Sequence, residues 1–195
     1  GGNEMVGLAN LPYMVKEKLV RHIMTLDADF VLIDLGAGTT FNTLDFFTLS
    51  NNGLIVCTPE PHARVDAYGF IKNTVYRKLR RLFNKNDIVK TTIEQFARKA
   101  GRKSGRISEL LDLLDAADAL AGAAARAALA NYRPRLILNR VRYKRQIEEA
   151  FGLIEQRLLA RLGNTVVHDI EKAYIARRTA EFLGRGLLCR FVVAE

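Results

Sequence analysis

The segment from residue 29 to residue 40 constrains the fold more than any other part of this chain. An apolar run rich in β-branched residues ends at Asp34 and passes directly into a turn that contains Gly36 and Gly38. Short apolar runs of this kind are typical of buried strands in parallel sheets. In open α/β sheets, ligands bind at the carboxyl ends of the strands, and glycines there let the backbone turn tightly against a ligand. The sequence therefore predicts an α/β ligand-binding domain with Asp34 at the ligand edge.

Predicted strands and helices alternate along the chain. We expect strands over residues 29–34, 53–58, 134–139 and 165–167, and helices over residues 12–28, 41–49, 61–83, 143–162 and 171–183. Such alternation predicts βαβ units, and therefore an open, mostly parallel sheet flanked by helices. Residues 85–130 show helical patterns only, which predicts a helical insertion on one flank of the sheet. The tail from Gly184 is expected to add a last strand or to pack loosely.

Composition limits the class of protein. With 195 residues, of which 49% are hydrophobic, we expect a single α/β domain over residues 1–195 with an ample core. The apolar runs fall short of the roughly 18–20 residues that a membrane span needs, which favours a cytoplasmic protein. The two cysteines, Cys57 and Cys189, have neither metal-type spacing nor the number that a disulfide framework requires. The three histidines are scattered, which argues against a transition-metal site.

Positive charge is concentrated in one segment. The chain carries a formal net charge of +9, and residues 64–106 contain 13 basic and 3 acidic residues, enough to account for the whole excess. A segment of this kind forms either a solvated helix face or a surface for nucleic acid, an anionic membrane or an acidic partner protein. The sequence leaves these alternatives open.

Polar residues follow each predicted strand. Asp34 follows the first strand, Pro59 and Glu60 the second, Asn139 the third, and Asp169 the fourth. Because the carboxyl ends of parallel strands meet at one edge of a sheet, these residues are expected to line a single edge. That clustering is what a nucleotide pocket requires.

The order and spacing of these motifs resemble the MinD/ParA group of P-loop ATPases, most closely the MinD-like proteins related to a regulator of flagellar number. The likeness covers roughly residues 8–180 and rests on three segments: residues 31–38 with their D-x-x-x-G spacing, residues 58–61, and residues 136–140. Two positions depart from the family pattern. Gly36 stands where many members have Pro, and His168 replaces an acidic residue.

The resemblance implies a catalytic switch at the end of the first strand. Asp34 would hold Mg²⁺ through water, and Gly38 would sense the γ-phosphate, so these are the candidate catalytic residues. Gly36 would belong to the same moving loop. The residue types suit these roles, because a carboxylate binds a hard cation and glycine lets backbone N–H groups turn toward a phosphate.

The resemblance also implies a base-binding side. Pro59 and Glu60 match the family's T-x-P-E stretch, Asn139 matches the residue that contacts adenine, and Asp169 matches the acidic region near the base. The implied cofactors are ATP and Mg²⁺. The implied activity is ATP hydrolysis coupled to homodimerisation, in bacterial proteins that position the division site, flagella or cargo. Such proteins are cytoplasmic, in some cases peripheral at the membrane.

The phosphate loop of this family is not found in the sequence. Neither G-x-x-x-x-G-K-[ST] nor K-G-G-x-G-K-[ST] occurs, and the segment 101–104 follows a predicted helix where a strand is needed. We therefore expect the chain to represent the middle and later part of such an ATPase, with the N-terminal phosphate-loop unit absent. By itself it should bind ATP weakly and hydrolyse it negligibly.

Two alternatives remain. An apolar strand followed by acid-x-G-x-G also opens many S-adenosylmethionine-dependent methyltransferases, in which Glu60 would hold the ribose, although Thr40 stands where a third glycine is usual. The other alternative is a catalytically silent α/β interaction module. In that case Asp34 would be a helix cap, Asn139 a turn residue and Glu60 a solvated turn residue.

Overall fold

The structure of the protein, a computed structural model, describes residues 13–102, 105–162, 172–176 and 190–194. The helices in these residues are α1 (Tyr13–Met24), α2 (Phe41–Phe47), α3 (Pro61–Leu82), α4 (Asp87–Arg102), α5 (Ile107–Ala117), α6 (Ala119–Ala130) and α7 (Lys144–Leu162). The strands are β1 (Val31–Asp34), β2 (Leu54–Cys57), β3 (Arg135–Val141), β4 (Lys172–Ala176) and β5 (Arg190–Ala194).

The strands form one sheet in the order β1-β5-β2-β3-β4. Strands β2, β3 and β4 are parallel, with Leu54 opposite Arg135 and Cys57 opposite Leu138. Strand β5 lies between β1 and β2 and is antiparallel to both. The protein is therefore mixed α/β with a small parallel sheet, which confirms the predicted α/β class.

The expectation of an open, mostly parallel sheet of the P-loop type is not met. The tail does add a last strand, because its Phe-Val-Val run favours extended backbone. That strand enters the sheet interior in the opposite direction. As a result, β1 and β2 are not neighbours in the sheet.

The helix predicted over residues 171–183 is wrong at residues 172–176, which form β4. Leu136, Ile137 and Leu138 of β3 pair with Lys172, Ala173 and Tyr174. Unpaired backbone groups on the edge of β3 provide the partners, and this pairing outweighs a weak helical periodicity. The strand predicted over residues 165–167 lies outside the described residues.

Helix α3 runs through the core. Ala67, Phe70, Ile71, Val75 and Leu79 are at most 1% exposed. Ile71, Val75 and Leu79 recur at helical spacing and are buried, whereas Val65 and Leu82 near the two ends of the helix are 44% and 46% exposed. The buried stripe turns toward Phe70 because α2 packs there, with the rings of Phe47 and Phe70 edge to face at 4.8 Å.

The predicted helical insertion consists of α4, α5 and α6. Asp118 separates α5 from α6, because its side chain accepts hydrogen bonds from Leu120 N at 3.0 Å and Ala121 N at 3.2 Å and so caps α6. Gly122 follows at the close approach of the two helices, where a Cβ atom would lie 2.9 Å from Asp115 Cα. The insertion packs its apolar residues onto the core.

None of the helices in the described part of the chain is both long and apolar enough to cross a bilayer.

Candidate functional site

Asp34 ends β1 with an exposed side chain. Its Oδ1 atom accepts a hydrogen bond of 3.0 Å from Gly36 N, which forms a turn immediately after the strand. Gly36 has φ of 65° and Gly38 has φ of 111°, conformations that L side chains rarely adopt. The turn therefore favours glycine at both positions, and the hydrogen bond from Gly36 N to Asp34 stabilises the start of the turn.

Thr40 is the N-terminal cap of α2. Its Oγ1 atom accepts a hydrogen bond of 3.2 Å from Thr43 N. The interpretation of Asp34 as the cap of this helix is therefore wrong. A threonine directly before a helix is a strong local signal for such a cap.

Glu60 lies between the end of β2 and the start of α3, after the buried Pro59. It occupies the N-cap position of α3 but makes no side-chain capping hydrogen bond. A hydrogen bond from the Thr58 side chain lowers the pKa of Glu60 most, and the charges of Arg140 and Arg142 lower it further, while burial opposes them. The carboxylate is therefore ionised and faces a basic environment.

Asn139 lies near the end of β3, beside an irregularity in the pairing with β4 between Leu138 and Val141. Its Oδ1 atom accepts a hydrogen bond of 2.8 Å from Arg140 N. Arg140 has φ of 60°, which is unusual for a side chain of this size. An adenine that contacted Asn139 would therefore use the amide nitrogen of its side chain or displace this local bond.

The three strands β1, β2 and β3 run in one direction, because β1 and β2 are each antiparallel to β5 and β3 is parallel to β2. Asp34, Glu60 and Asn139 thus follow strands at the same edge of the sheet. With β5 between them, the ends of β1 and β2 are two strand spacings apart, or about 10 Å. Asp169 lies outside the described residues.

Sequence reasoning missed three arginines near this edge. Arg140 and Arg142 follow Asn139 directly and act on Glu60. Arg64 lies on the first turn of α3, and its Nε atom is buried without a hydrogen-bond partner in the described structure. Arg140 and Arg142, near the end of a predicted strand, were a visible sequence signal of positive charge at this edge. Nothing in the sequence indicates that Arg64 Nε is buried without a hydrogen-bond partner in the described structure.

Asp34 is the candidate residue for holding Mg²⁺ through water. In the described residues, His, Cys, Asp and Glu side chains form no group of three or more that could hold a metal ion. Mg²⁺ commonly keeps several waters and binds one or two carboxylates together with phosphate oxygens. One carboxylate at the end of β1 therefore fits Mg²⁺ delivered with a nucleotide, and does not fit a metal held by protein alone.

The described residues of the basic segment 64–106 belong to α3, to α4 and to the connection between these two helices, with residues 105–106 leading into α5. Its basic residues do not all lie on a solvated face. Arg77 and Lys78 are half-buried, and Arg80 pairs with Glu94 at 2.8 Å. Arg98 and Lys99 on α4 are exposed. The segment thus combines a solvated face with a set of partly buried cations.

Comparisons of the chain with protein-family models, curated proteins and solved structures give no significant match.

Proposed function

We propose that this chain forms the switch side and the base side of a MinD/ParA-like nucleotide-binding protein. Such a protein couples ATP binding and hydrolysis to dimerisation and to the positioning of a partner in the cell. The turn after β1 is the observation that carries the proposal. There Asp34 binds Gly36 N, and Gly36 and Gly38 both have positive φ, at the sheet edge shared with Glu60 and Asn139.

In this proposal Asp34 orients a water ligand of Mg²⁺ rather than binding the ion directly. Bound Mg²⁺ would neutralise charge on the β- and γ-phosphates. The hydrogen bond from Gly36 N to Asp34 links the carboxylate to the loop, so movement of the loop would move the carboxylate as well. The open space around Gly36 and Gly38 leaves room for that movement.

Three arginines support an anionic ligand at this edge. Arg140 and Arg142 lower the pKa of Glu60, and Arg64 Nε is a buried donor without a hydrogen-bond partner in the described structure. Guanidinium groups bind phosphate oxygens through paired hydrogen bonds. They would supply part of the positive charge that a phosphate-loop lysine provides in such proteins, since this sequence shows no phosphate-loop motif.

A dimer interface beside the nucleotide is supported by exposed apolar residues around the switch. Phe30 is 75% exposed, Leu32 60% and Phe41 62%. Large apolar side chains left exposed beside a site are candidates for such an interface. In this proposal the protein acts in the cytoplasm, and the basic residues of segment 64–106 contact a partner protein, nucleic acid or the membrane surface.

The strand order disfavours the methyltransferase alternative. In the common order of dinucleotide-binding folds, the strand before the glycine loop neighbours the strand that carries the ribose-binding acid. Here β5 separates β1 from β2 and places Glu60 one strand further from the loop. The silent interaction module remains the competing reading.

The test is Mg²⁺-dependent ATP hydrolysis by the natural full-length protein that contains these residues. The Asp34→Ala variant should lose hydrolysis while its thermal unfolding stays close to wild type, because the side chain is exposed. Asp29→Ala is the matched control, since Asp29 is also exposed and precedes the same strand. It should retain hydrolysis.

Unchanged turnover in Asp34→Ala would overturn the Mg²⁺ assignment. Absence of ATP binding and hydrolysis in the wild-type full-length protein would overturn the ATPase proposal and favour the interaction module. Saturable binding of S-adenosylmethionine in a calorimetric titration would instead revive the methyltransferase alternative.

A further inference from the structure

A cavity of about 670 Å³ lies between α1, α2, α3 and the start of α4. Of its described lining residues, two are acidic, Asp45 and Glu17. Six are basic, and they come from three of the four helices: Lys16, Arg21, Arg77, Arg80, Arg81 and Lys90. A cavity of this volume is suited to a small ligand rather than to a macromolecular surface.

One buried carboxylate organises the cations of this cavity. Asp45 on α2 accepts hydrogen bonds from Lys16 Nζ at 2.5 Å, from Arg77 Nε at 2.5 Å and from Arg77 Nη2 at 2.8 Å. Arg81 Nη1 donates to the backbone oxygen of Asp45 at 2.9 Å. The side chains of Lys16 and Arg77 are 15% and 22% exposed. The cations are thus held in place before any ligand binds.

Arg77, Arg80 and Arg81 share one face of α3, because residues three and four apart are neighbours on a helix. Their positive charges act on their surroundings. Burial lowers the pKa of the nearby Lys78, and the charge of Arg81 lowers it further. A concentration of like charges in a partly buried site is unfavourable, and an anion bound there would relieve it.

The cavity is remote from Glu60 at the start of α3, but Arg77, which lines it, has its Cζ atom 5.1 Å from the ring centroid of Phe41, just after the glycine turn. Arg77 lies 16 residues after Pro61, the first residue of α3. At a rise of about 1.5 Å per residue, this places it about 24 Å along the helix. The cavity therefore does not include the Glu60 side of the sheet edge, and variants in the cavity and at that edge test the two sites separately.

We propose that this cavity binds a small polyanion that carries two or more phosphate groups. Arginine is suited to phosphate, because its planar donors match pairs of phosphate oxygens. Phe46 is the one aromatic side chain among the described lining residues, and it is buried. Recognition of single-stranded nucleic acid uses aromatic platforms for base stacking, so the lining favours a phosphorylated ligand without a stacked base.

The test is calorimetric titration of the protein with sodium tripolyphosphate, with orthophosphate and citrate as comparison anions. We expect saturable tripolyphosphate binding that is tighter than binding of either comparison anion and that weakens with added salt. The double variant R21A/K90A should weaken it by about tenfold or more, because each cation contributes a charge-assisted contact. Arg80→Gln gives a second variant that keeps a helix-forming residue in place.

The matched control is R98A/K99A, which removes the same charge from exposed positions on α4. It should leave the affinity within about twofold, since neither Arg98 nor Lys99 lines the cavity. Equal losses in the two double variants would overturn the proposal in favour of non-specific attraction. Absence of saturable tripolyphosphate binding, or equally tight binding of citrate, would also overturn it.

Further binding measurements locate the site and identify the class of ligand. Arg142→Ala at the sheet edge should retain tripolyphosphate binding, and loss of binding in that variant would move the site to the sheet edge and overturn the proposal. Affinity for a single-stranded oligonucleotide that grows with its length would overturn it in favour of nucleic acid.

Co-sedimentation with phosphoinositide vesicles, lost in R21A/K90A, would identify a lipid headgroup as the source of the phosphates. Binding of soluble tripolyphosphate alone would identify a free ligand.

Discussion

Arg77 on α3 binds the carboxylate of Asp45 on α2 through two nitrogen atoms, at 2.5 Å and 2.8 Å. The Asp45 side chain is only 7% exposed, and Lys16 from α1 binds it as well. Burial by itself would raise the pKa of Asp45, but the hydrogen bonds and charges of Arg77 and Lys16 outweigh it and keep the pKa below the ordinary value of 3.8. One carboxylate therefore connects three helices.

Replacement of Asp45 by Asn should lower the free energy of unfolding by about 3 kcal/mol at neutral pH, because Arg77 and Lys16 lose their buried counterion. A carboxyl group whose pKa is lower in the folded state stabilises the fold above its unfolded-state pKa. This stabilisation is lost as the pH falls through the folded-state pKa. The difference between wild type and variant should thus shrink below pH 3.8.

Urea denaturation across this pH range measures the effect of Asp45→Asn. Asp66→Asn on the exposed face of α3 is the control and should change stability by no more than about 0.5 kcal/mol. A constant difference between wild type and Asp45→Asn at every pH would show that the charge of Asp45 is not the cause.

Alanine at the two turn glycines should destabilise the protein through backbone strain alone, because an added Cβ would meet nothing within 4 Å at either position. We expect a loss of about 1 kcal/mol for Gly36→Ala. Gly38→Ala should cost roughly 1–3 kcal/mol, since its φ of 111° lies farther from the conformations open to alanine. Thermal or chemical denaturation measures both.

Gly69→Ala is the control for the turn glycines. Gly69 lies within α3 with equally open space for a Cβ, so alanine there should stabilise the protein by about 0.5–1 kcal/mol. If all three variants changed stability in the same direction, the positive φ angles would not explain the effect at the turn.

Tyr132 and Thr74 form a buried hydrogen bond of 2.6 Å between residues 58 positions apart in the chain. Burial raises the pKa of Tyr132, and its bond to Thr74 offsets only part of that rise. Thr74→Val should cost about 1–3 kcal/mol, because it leaves the buried tyrosine hydroxyl without its acceptor. Tyr132→Phe should cost about 1 kcal/mol, since Thr74 keeps its bond to the Ile71 carbonyl at 2.7 Å.

The double variant T74V/Y132F provides the check on this pair. Because both substitutions remove the same bond, its cost should be less than the sum of the single costs. Chemical denaturation of the four proteins gives the coupling energy, and simple additivity would contradict an energetic link between the two side chains.

Arg140→Gly should stabilise the protein by about 0.5 kcal/mol, because glycine tolerates positive φ better than arginine does. The same change should raise the pKa of Glu60, since Arg140 helps to lower it. Arg142→Ala should also raise that pKa without a gain in stability, as Arg142 is not at positive φ. Thermal unfolding measures the change in stability, and NMR titration of the Glu60 carboxyl measures the change in its pKa. A destabilised Arg140→Gly variant would show that the positive φ of Arg140 does not strain the backbone.

Local signals in the sequence determined a large part of this fold. Thr40, a residue type that favours helix caps, caps α2. Pro61 begins α3 as expected, and the helical segments α1 to α7 lie where apolar periodicity places them. The glycine turn after Asp34 could also be predicted from the sequence. Caps, prolines and glycine turns depend on bonds between residues only a few positions apart, so their effect is present in any fold that contains the segment.

Tertiary structure alone decided the strand order and the charge network. Whether residues 172–176 form a strand, and whether β5 enters between β1 and β2, depends on which backbone edges are left unpaired elsewhere in the sheet. The convergence of Arg77 and Lys16 on Asp45 likewise joins residues 29 and 32 positions apart. Such contacts form only when whole helices are packed, because side-chain type and short-range spacing carry no information about which distant partners the packing brings together.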